Sequence, residues 1–206
     1  MRFSFGACKR LKAVDFFAFC NAILFLVMCV VTYYERFLDY RGRGNVYEFY
    51  AYAAVIVSGI LILWWYLRRF TFQPAILLLI QGGILAHFAG GFIPVDGERL
   101  YDVYIFAIRY DKYVHFLNAL GACLVVNHIF SLIGVRIPLL RDWAILLIVM
   151  GLGAFVEVLE YFVMLTIPDA GVGHYDNNMQ DLVSNMVGGI VFLLGHRWYC
   201  ERRRNL

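Results

Sequence analysis

Residues 109–121 read RYDKYVHFLNALG and set Asp111, Lys112, His115 and Asn118 at the front of a run, 111–133, too long and too apolar for an ordinary soluble helix. Asp111, His115 and Asn118 are spaced four and then three residues apart, so on a helix they project from one face. Charges at that depth need partners. The rest of the chain either supplies partners for that face or holds it in a membrane.

Composition fixes the broad class. With 62% hydrophobic and 16% charged residues and a mean hydropathy of +0.70, the chain lies outside soluble globular usage and reads as a polytopic membrane protein. A crossing helix needs about 20 residues, so 206 residues allow about six or seven spans and no separate soluble domain. Cys8, Cys20, Cys29, Cys123 and Cys200 fall near basic termini or inside apolar runs, with neither a disulfide framework nor a Cys-x-x-Cys pair. The net charge of +3 comes from basic residues flanking apolar runs, which is how orientation signals are arranged, so nucleic acid is not an expected partner.

The apolar runs predict an all-α, six-transmembrane-helix bundle forming one domain over residues 1–206, with helices at about 16–32, 47–67, 75–92, 111–133, 143–167 and 181–198. The first run follows Arg2, Lys9, Arg10 and Lys12 as a signal peptide would, but Thr32-Tyr33-Tyr34-Glu35 offers no small-residue cleavage site, so an uncleaved helix is expected. Trp64-Trp65-Tyr66 reads as an interfacial anchor. Residues 93–110, apolar only in part, are too short to cross and are expected to lie along the interface or cap the bundle.

Lys and Arg divide unequally between the two sides of this topology. Arg2, Lys9, Arg10, Lys12, Arg68, Arg69, Arg136, Arg141, Arg197, Arg202, Arg203 and Arg204 fall on one side; Arg36, Arg41, Arg43, Arg99, Arg109 and Lys112 fall on the other. The positive-inside rule then places the N-terminus and the C-terminus in the cytoplasm and all four tryptophans at the inner interface.

With that orientation the intramembrane polar residues converge on the outer side: His87 on the third helix, Asp111, His115 and Asn118 on the fourth, Glu157 and Glu160 on the fifth, Asp181 and Asn185 on the sixth. Each charge at a helix centre carries roughly 2.5–3.5 kcal/mol on insertion scales, so gathering them lets them pair or bind a ligand. No comparable set is expected in the inner half. Asp111, His115, Glu157, Glu160 and Asp181 are the catalytic candidates. Lys112, Asn118, Asn185, His87, His174 and Asp176 are candidates for contacting a substrate. Of these, His87, His115, Glu157, Glu160 and Asp181 are acceptable ligands for a divalent metal such as zinc or manganese.

Each has a plainer reading. Asp111 and Lys112 make an interfacial pair at a helix start; Glu157 and Glu160, three apart on one face, repel unless a cation, a proton, Lys112 or Arg109 lies between them. His87 alone on its helix fits a hydrogen-bonded packing residue, and His174 and Asp176 fit solvated loop residues. Ser184 and Gly188 form a small-xxx-small packing pattern.

The order DKYVHF, an acidic pair, then D-L-x-x-N-x-x-G-G resembles the VanZ-like membrane proteins, and within that superfamily it is more similar to the YjdF-type bacterial inner-membrane proteins. The likeness runs from about Ala75 to Gly189 through His87, Gly90, Pro94, Asp111, Lys112, His115, Phe116, Glu157, Glu160 and Tyr161. It departs before Asp181, where His174, Tyr175 and Asp176 stand in place of the usual arginine. The resemblance implies a multi-pass cell-envelope protein of the bacterial cytoplasmic (inner) membrane; VanZ-like members are associated with resistance to lipid-binding glycopeptide antibiotics.

Three activities fit these residues. The first is binding of a lipid headgroup or lipid-linked cell-wall precursor in an outward-facing polar pocket. The second is an intramembrane hydrolase or transferase in which a metal, or a Glu157 and His115 acid/base pair, activates water against a lipid-linked substrate. The third, proton-coupled transport, lacks an inverted repeat and an inner-side polar path. A polar network that only fixes helix packing is the remaining reading.

Overall fold

A computed structural model describes residues 11–135, 137–166 and 175–204. Its elements are almost all helical and fall into two compact units, one ending at Leu77 and the other beginning at Leu78.

In the first unit, helix α1 (Ala13–Met28) opens with Asp15 accepting from the Lys12 backbone N–H at 2.9 Å. It continues through a π-helical turn, Cys29–Tyr33, into α2 (Tyr34–Arg41), and stops at Gly42, whose φ of 80° favours glycine. The helix therefore outruns the expected end at Thr32, since no Gly or Pro interrupts it sooner. Helix α3 (Val46–Leu67) returns alongside. Asp15 ties the two together, accepting from Trp64 Nε1 and Arg68 Nε at 2.8 Å each, while Lys12 Nζ donates to the Arg68 carbonyl at 2.7 Å. Trp64 thus pairs with a carboxylate, while Trp65 stacks under Arg69, 4.3 Å from ring centroid to guanidinium.

Helix α4 (Pro74–Phe92) starts on proline and leads into two small hairpins. Strand β1 (Pro94–Val95) pairs with β2 (Glu98–Arg99) around Asp96 and Gly97, whose φ values of 51° and 89° make the turn an Asp-Gly one. Strand β3 (Tyr104–Ile105) pairs with β4 (Ile108–Arg109) around Phe106 and Ala107, both at positive φ. The segment 93–110 is compact and folded on itself.

The second unit is built on three mutually packed helices, α5 (Tyr110–Ile133), α6 (Pro138–Thr166) and α7 (Tyr175–Arg204). Ala119, Cys123, Ile145, Val149 and Phe192 form their core. Glycines let the helices approach: a Cβ at Gly188 would lie 2.5 Å from the Phe116 carbonyl oxygen, and one at Gly189 would lie 2.7 Å from Leu146 Cδ1. The Ser184 hydroxyl donates to the Gln180 carbonyl, one turn back on α7, at 2.9 Å. Helix α6 starts before the expected Trp143, because Pro138 opens it ahead of the charged Arg141 and Asp142, and α7 starts before the expected Asp181, because its first turn from Tyr175 is polar rather than apolar.

Five of the described helical stretches are long and apolar enough to cross a membrane: Ala13–Asp39, Arg43–Leu67, Pro74–Phe92, Tyr110–Ile133 and Leu139–Phe162. Large apolar side chains cover their outward faces, with Val30 80% and Leu147 67% exposed, as lipid-facing residues are. Helix α7 is 30 residues long but is interrupted by Asp181, Asn185, His196 and Arg197, so its composition alone does not mark it as a span.

Candidate functional site

The start of α5, the later half of α6 and the start of α7 meet around a cluster of buried polar groups. Arg109 ends β4 in extended backbone and caps α5, which puts Asp111 in the first turn, where the free N–H groups favour an acid. The next residue, Lys112, is turned inward. Its Nζ donates to Asp181 Oδ1 at 2.8 Å, to Asp111 Oδ2 at 3.1 Å and to Asn177 Oδ1 at 2.8 Å. Asp111, Lys112 and Asp181 are all buried, so these are charge-assisted bonds shielded from water.

Asn177, four residues before Asp181 on the same face of α7, locks the second aspartate oxygen with an Nδ2 to Oδ2 bond of 2.8 Å. It also accepts from Arg109 Nη1 at 2.7 Å. Arg109 in turn holds Asp102 at 2.7 Å and lies 3.6 Å from Asp111, fastening the hairpins to the helix ends. One turn deeper, His115 Nε2 lies 3.4 Å from Asp181 Oδ1, and the Asn185 side chain hydrogen-bonds the same histidine.

Helix α6 reaches this cluster because Gly153 has no side chain: a Cβ there would lie 2.6 Å from Asn185 Nδ2. One turn on from that close approach stands Glu157. It is buried, and neither carboxylate oxygen has a hydrogen-bond partner among the described residues; Asp111 Oδ1 is in the same condition. Glu160 follows on the same face, half-buried and within electrostatic reach of Lys112, Asp111 and Asp181. One ligand atom each from His115, Glu157 and Asp181 fall within 4.8 Å of one another.

Asp111, Lys112, His115, Glu157, Asp181 and Asn185 therefore meet. The salt bridge from Lys112 or Arg109 to the glutamate pair is not formed, because both cations are taken by aspartates and Asn177. Asn118 is exposed beside Gly83 on α4. His87 Nδ1 bonds the Tyr101 hydroxyl, whose ring packs on Gly90, so this histidine secures the first hairpin's exit. Asp176 is exposed at the start of α7, and His174 lies outside the described residues. Asn177 escaped the sequence reading because GVGHYDNN looked like a connection; its signal is the spacing of four to Asp181.

The opposite end of the same three helices carries polar contacts of its own. Arg197 Nε bonds the buried Asp142 at 2.6 Å, and Arg141 reaches the Asn127 side chain at 2.6 Å and Ser131 at the same distance. These residues sit near helix ends, where a long arginine folds back onto its neighbours. Between the two ends lies the apolar core of Ala119, Cys123, Ile145, Val149 and Phe192.

No curated protein and no solved structure matches the chain. The model of one family, described as "Predicted membrane protein (DUF2238)", matches residues 17–202, which take in both units and every residue of the buried cluster. The chain belongs to this family of membrane proteins.

Proposed function

We propose that this protein is a multi-pass component of the bacterial cell envelope, akin to the VanZ-like proteins, that engages the polar headgroup of a lipid or lipid-linked cell-wall precursor in the pocket between α5, α6 and α7. In this reading α7 is a sixth crossing. Its Asp181 and Asn185 are buried while Val183, Val187, Ile190 and Leu194 are exposed, so lipid would meet an apolar face. The distribution of Lys and Arg supports cytoplasmic termini in an inner membrane and a pocket open to the outer side.

The observation that carries the reading is the buried set Asp111, Lys112, Glu157, Asp181 and Asn185 in helices otherwise built from apolar residues. A network serving packing alone would satisfy its members, whereas Glu157 and one oxygen of Asp111 are left without hydrogen-bond partners among the described residues. Native mass spectrometry of the detergent-purified chain tests it. Wild type should retain a headgroup-specific lipid or precursor that Asp181→Asn and Lys112→Met lose; identical lipid profiles in all three would contradict the proposal.

A metal-dependent hydrolase or transferase acting on a lipid-linked substrate is the second reading, favoured by the grouping of His115, Glu157 and Asp181. Transport is disfavoured, since the apolar core between the two polar ends offers no relay among the described residues.

A further inference from the structure

The buried charges at this site do not balance. Among the described residues three carboxylates, Asp111, Glu157 and Asp181, are buried there against a single buried cation, Lys112. The remaining buried acid, Asp142, is paired with Arg197 at the far end. Arg109 reaches Asp111 only at 3.6 Å and gives its shorter contacts to Asp102 and Asn177. An uncompensated charge in a low-dielectric interior costs several kcal/mol unless a proton or a cation neutralises it, and a divalent cation matches the excess of two carboxylates over buried cations among the described residues.

The donors and their spacing suit one. An ion held by imidazole nitrogen and carboxylate oxygen at about 2.0–2.2 Å in a tetrahedral site has ligand atoms about 3.4 Å apart. His115 Nε2 and Asp181 Oδ1 are 3.4 Å apart. Glu157 supplies the third donor within the 4.8 Å grouping. It is only 6% exposed, and both its oxygens lack hydrogen-bond partners among the described residues, although it faces a cluster full of donors. Asn177 fixes the other oxygen of Asp181, Lys112 shares Oδ1 itself, and Asn185 holds His115, as supporting groups hold metal ligands.

We propose that His115, Glu157 and Asp181 bind a divalent transition metal, with zinc favoured over manganese. Nitrogen with two carboxylates disfavours calcium and magnesium, and zinc outranks manganese in intrinsic affinity. Three protein ligands leave a coordination position open for water or a headgroup oxygen. The ion binds whether or not the pocket takes a lipid, so this inference stands apart from the headgroup reading.

The test uses the full chain in detergent, stripped with EDTA and then titrated with zinc chloride or manganese chloride. Bound metal is read by mass spectrometry after desalting, and folding by thermal melting. Wild type should retain stoichiometric zinc and melt higher with it. Glu157→Gln should lower zinc affinity at least tenfold, and Cys200→Ser, which removes the His196 and Cys200 pair, should leave it unchanged. A His115→Cys chain loaded with cobalt should gain a thiolate-to-cobalt absorption band absent from wild type, so the site is tested even if Glu157→Gln does not fold. Wild type that neither retains nor is stabilised by either metal overturns the proposal, as does unchanged zinc affinity in Glu157→Gln or a cobalt-loaded His115→Cys without the new band.

Discussion

Lys112 Nζ lies 2.8 Å from Asp181 Oδ1, and this bond joins the first turn of α5 to the buried face of α7, 69 residues further along the chain. Both groups are almost fully buried. Removing one leaves the other charged and poorly paired, so Asp181→Leu alone should cost about 3–5 kcal/mol. Replacing both, as in Lys112→Met with Asp181→Leu, should cost clearly less than the sum of the singles. Thermal melting of the four proteins in detergent measures the difference, and additive losses would refute the coupling.

Gly188 is the point where α7 lies against the α5 backbone. Gly188→Val should separate the helices and destabilise by about 1–3 kcal/mol, the usual range for overpacking. Gly195, further along α7, has open space where a Cβ would stand, so Gly195→Ala should cost nothing. Equal melting temperatures for the two variants would show that α5 and α7 do not approach as described.

Among the described residues Glu157 is the buried acid neither of whose carboxylate oxygens has a hydrogen-bond partner. In EDTA, Glu157→Gln should melt at or above the wild-type temperature, because the substitution removes an uncompensated charge at nearly constant volume. In excess zinc the order should reverse, since only wild type gains the ion's binding free energy. A variant less stable than wild type in EDTA would mean that the carboxylate already has a partner.

Orientation is tested at the first hairpin. In a chain stripped of native cysteines, Glu98→Cys should react with a membrane-impermeant maleimide added to intact cells, and Glu201→Cys should react only after permeabilisation. The reverse pattern would turn the pocket toward the cytoplasm.

Much of this was legible in the sequence, for physical reasons that differ by element. Membrane character and helix positions follow from apolar runs whose lengths match a bilayer. The meeting of Asp111, His115, Asp181 and Asn185 follows from spacings of three and four on helices, because isolated charges in such helices are too costly to scatter. The polar first turn of α7 was not legible, since Tyr175 to Gln180 lack an apolar stripe; Asn177 was missed with it. Asp96-Gly97 is a hairpin signal that can be read from the chain, whereas Phe106-Ala107 turns without a residue that favours positive φ. Nor does spacing reveal which cation takes which acid: Lys112 chooses Asp111 and Asp181 over the glutamates only because α5 and α7 face each other closely.

The proposed site requires that the buried charges between α5, α6 and α7 surround a ligand. An experimental density map of the full chain in a lipid nanodisc, taken without chelator, tests it most directly. Non-protein density in contact with His115, Glu157 and Asp181, with Lys112 still on Asp181, is the expected result. A map in which Glu157 instead bonds a protein donor, with no density between these side chains, would contradict it.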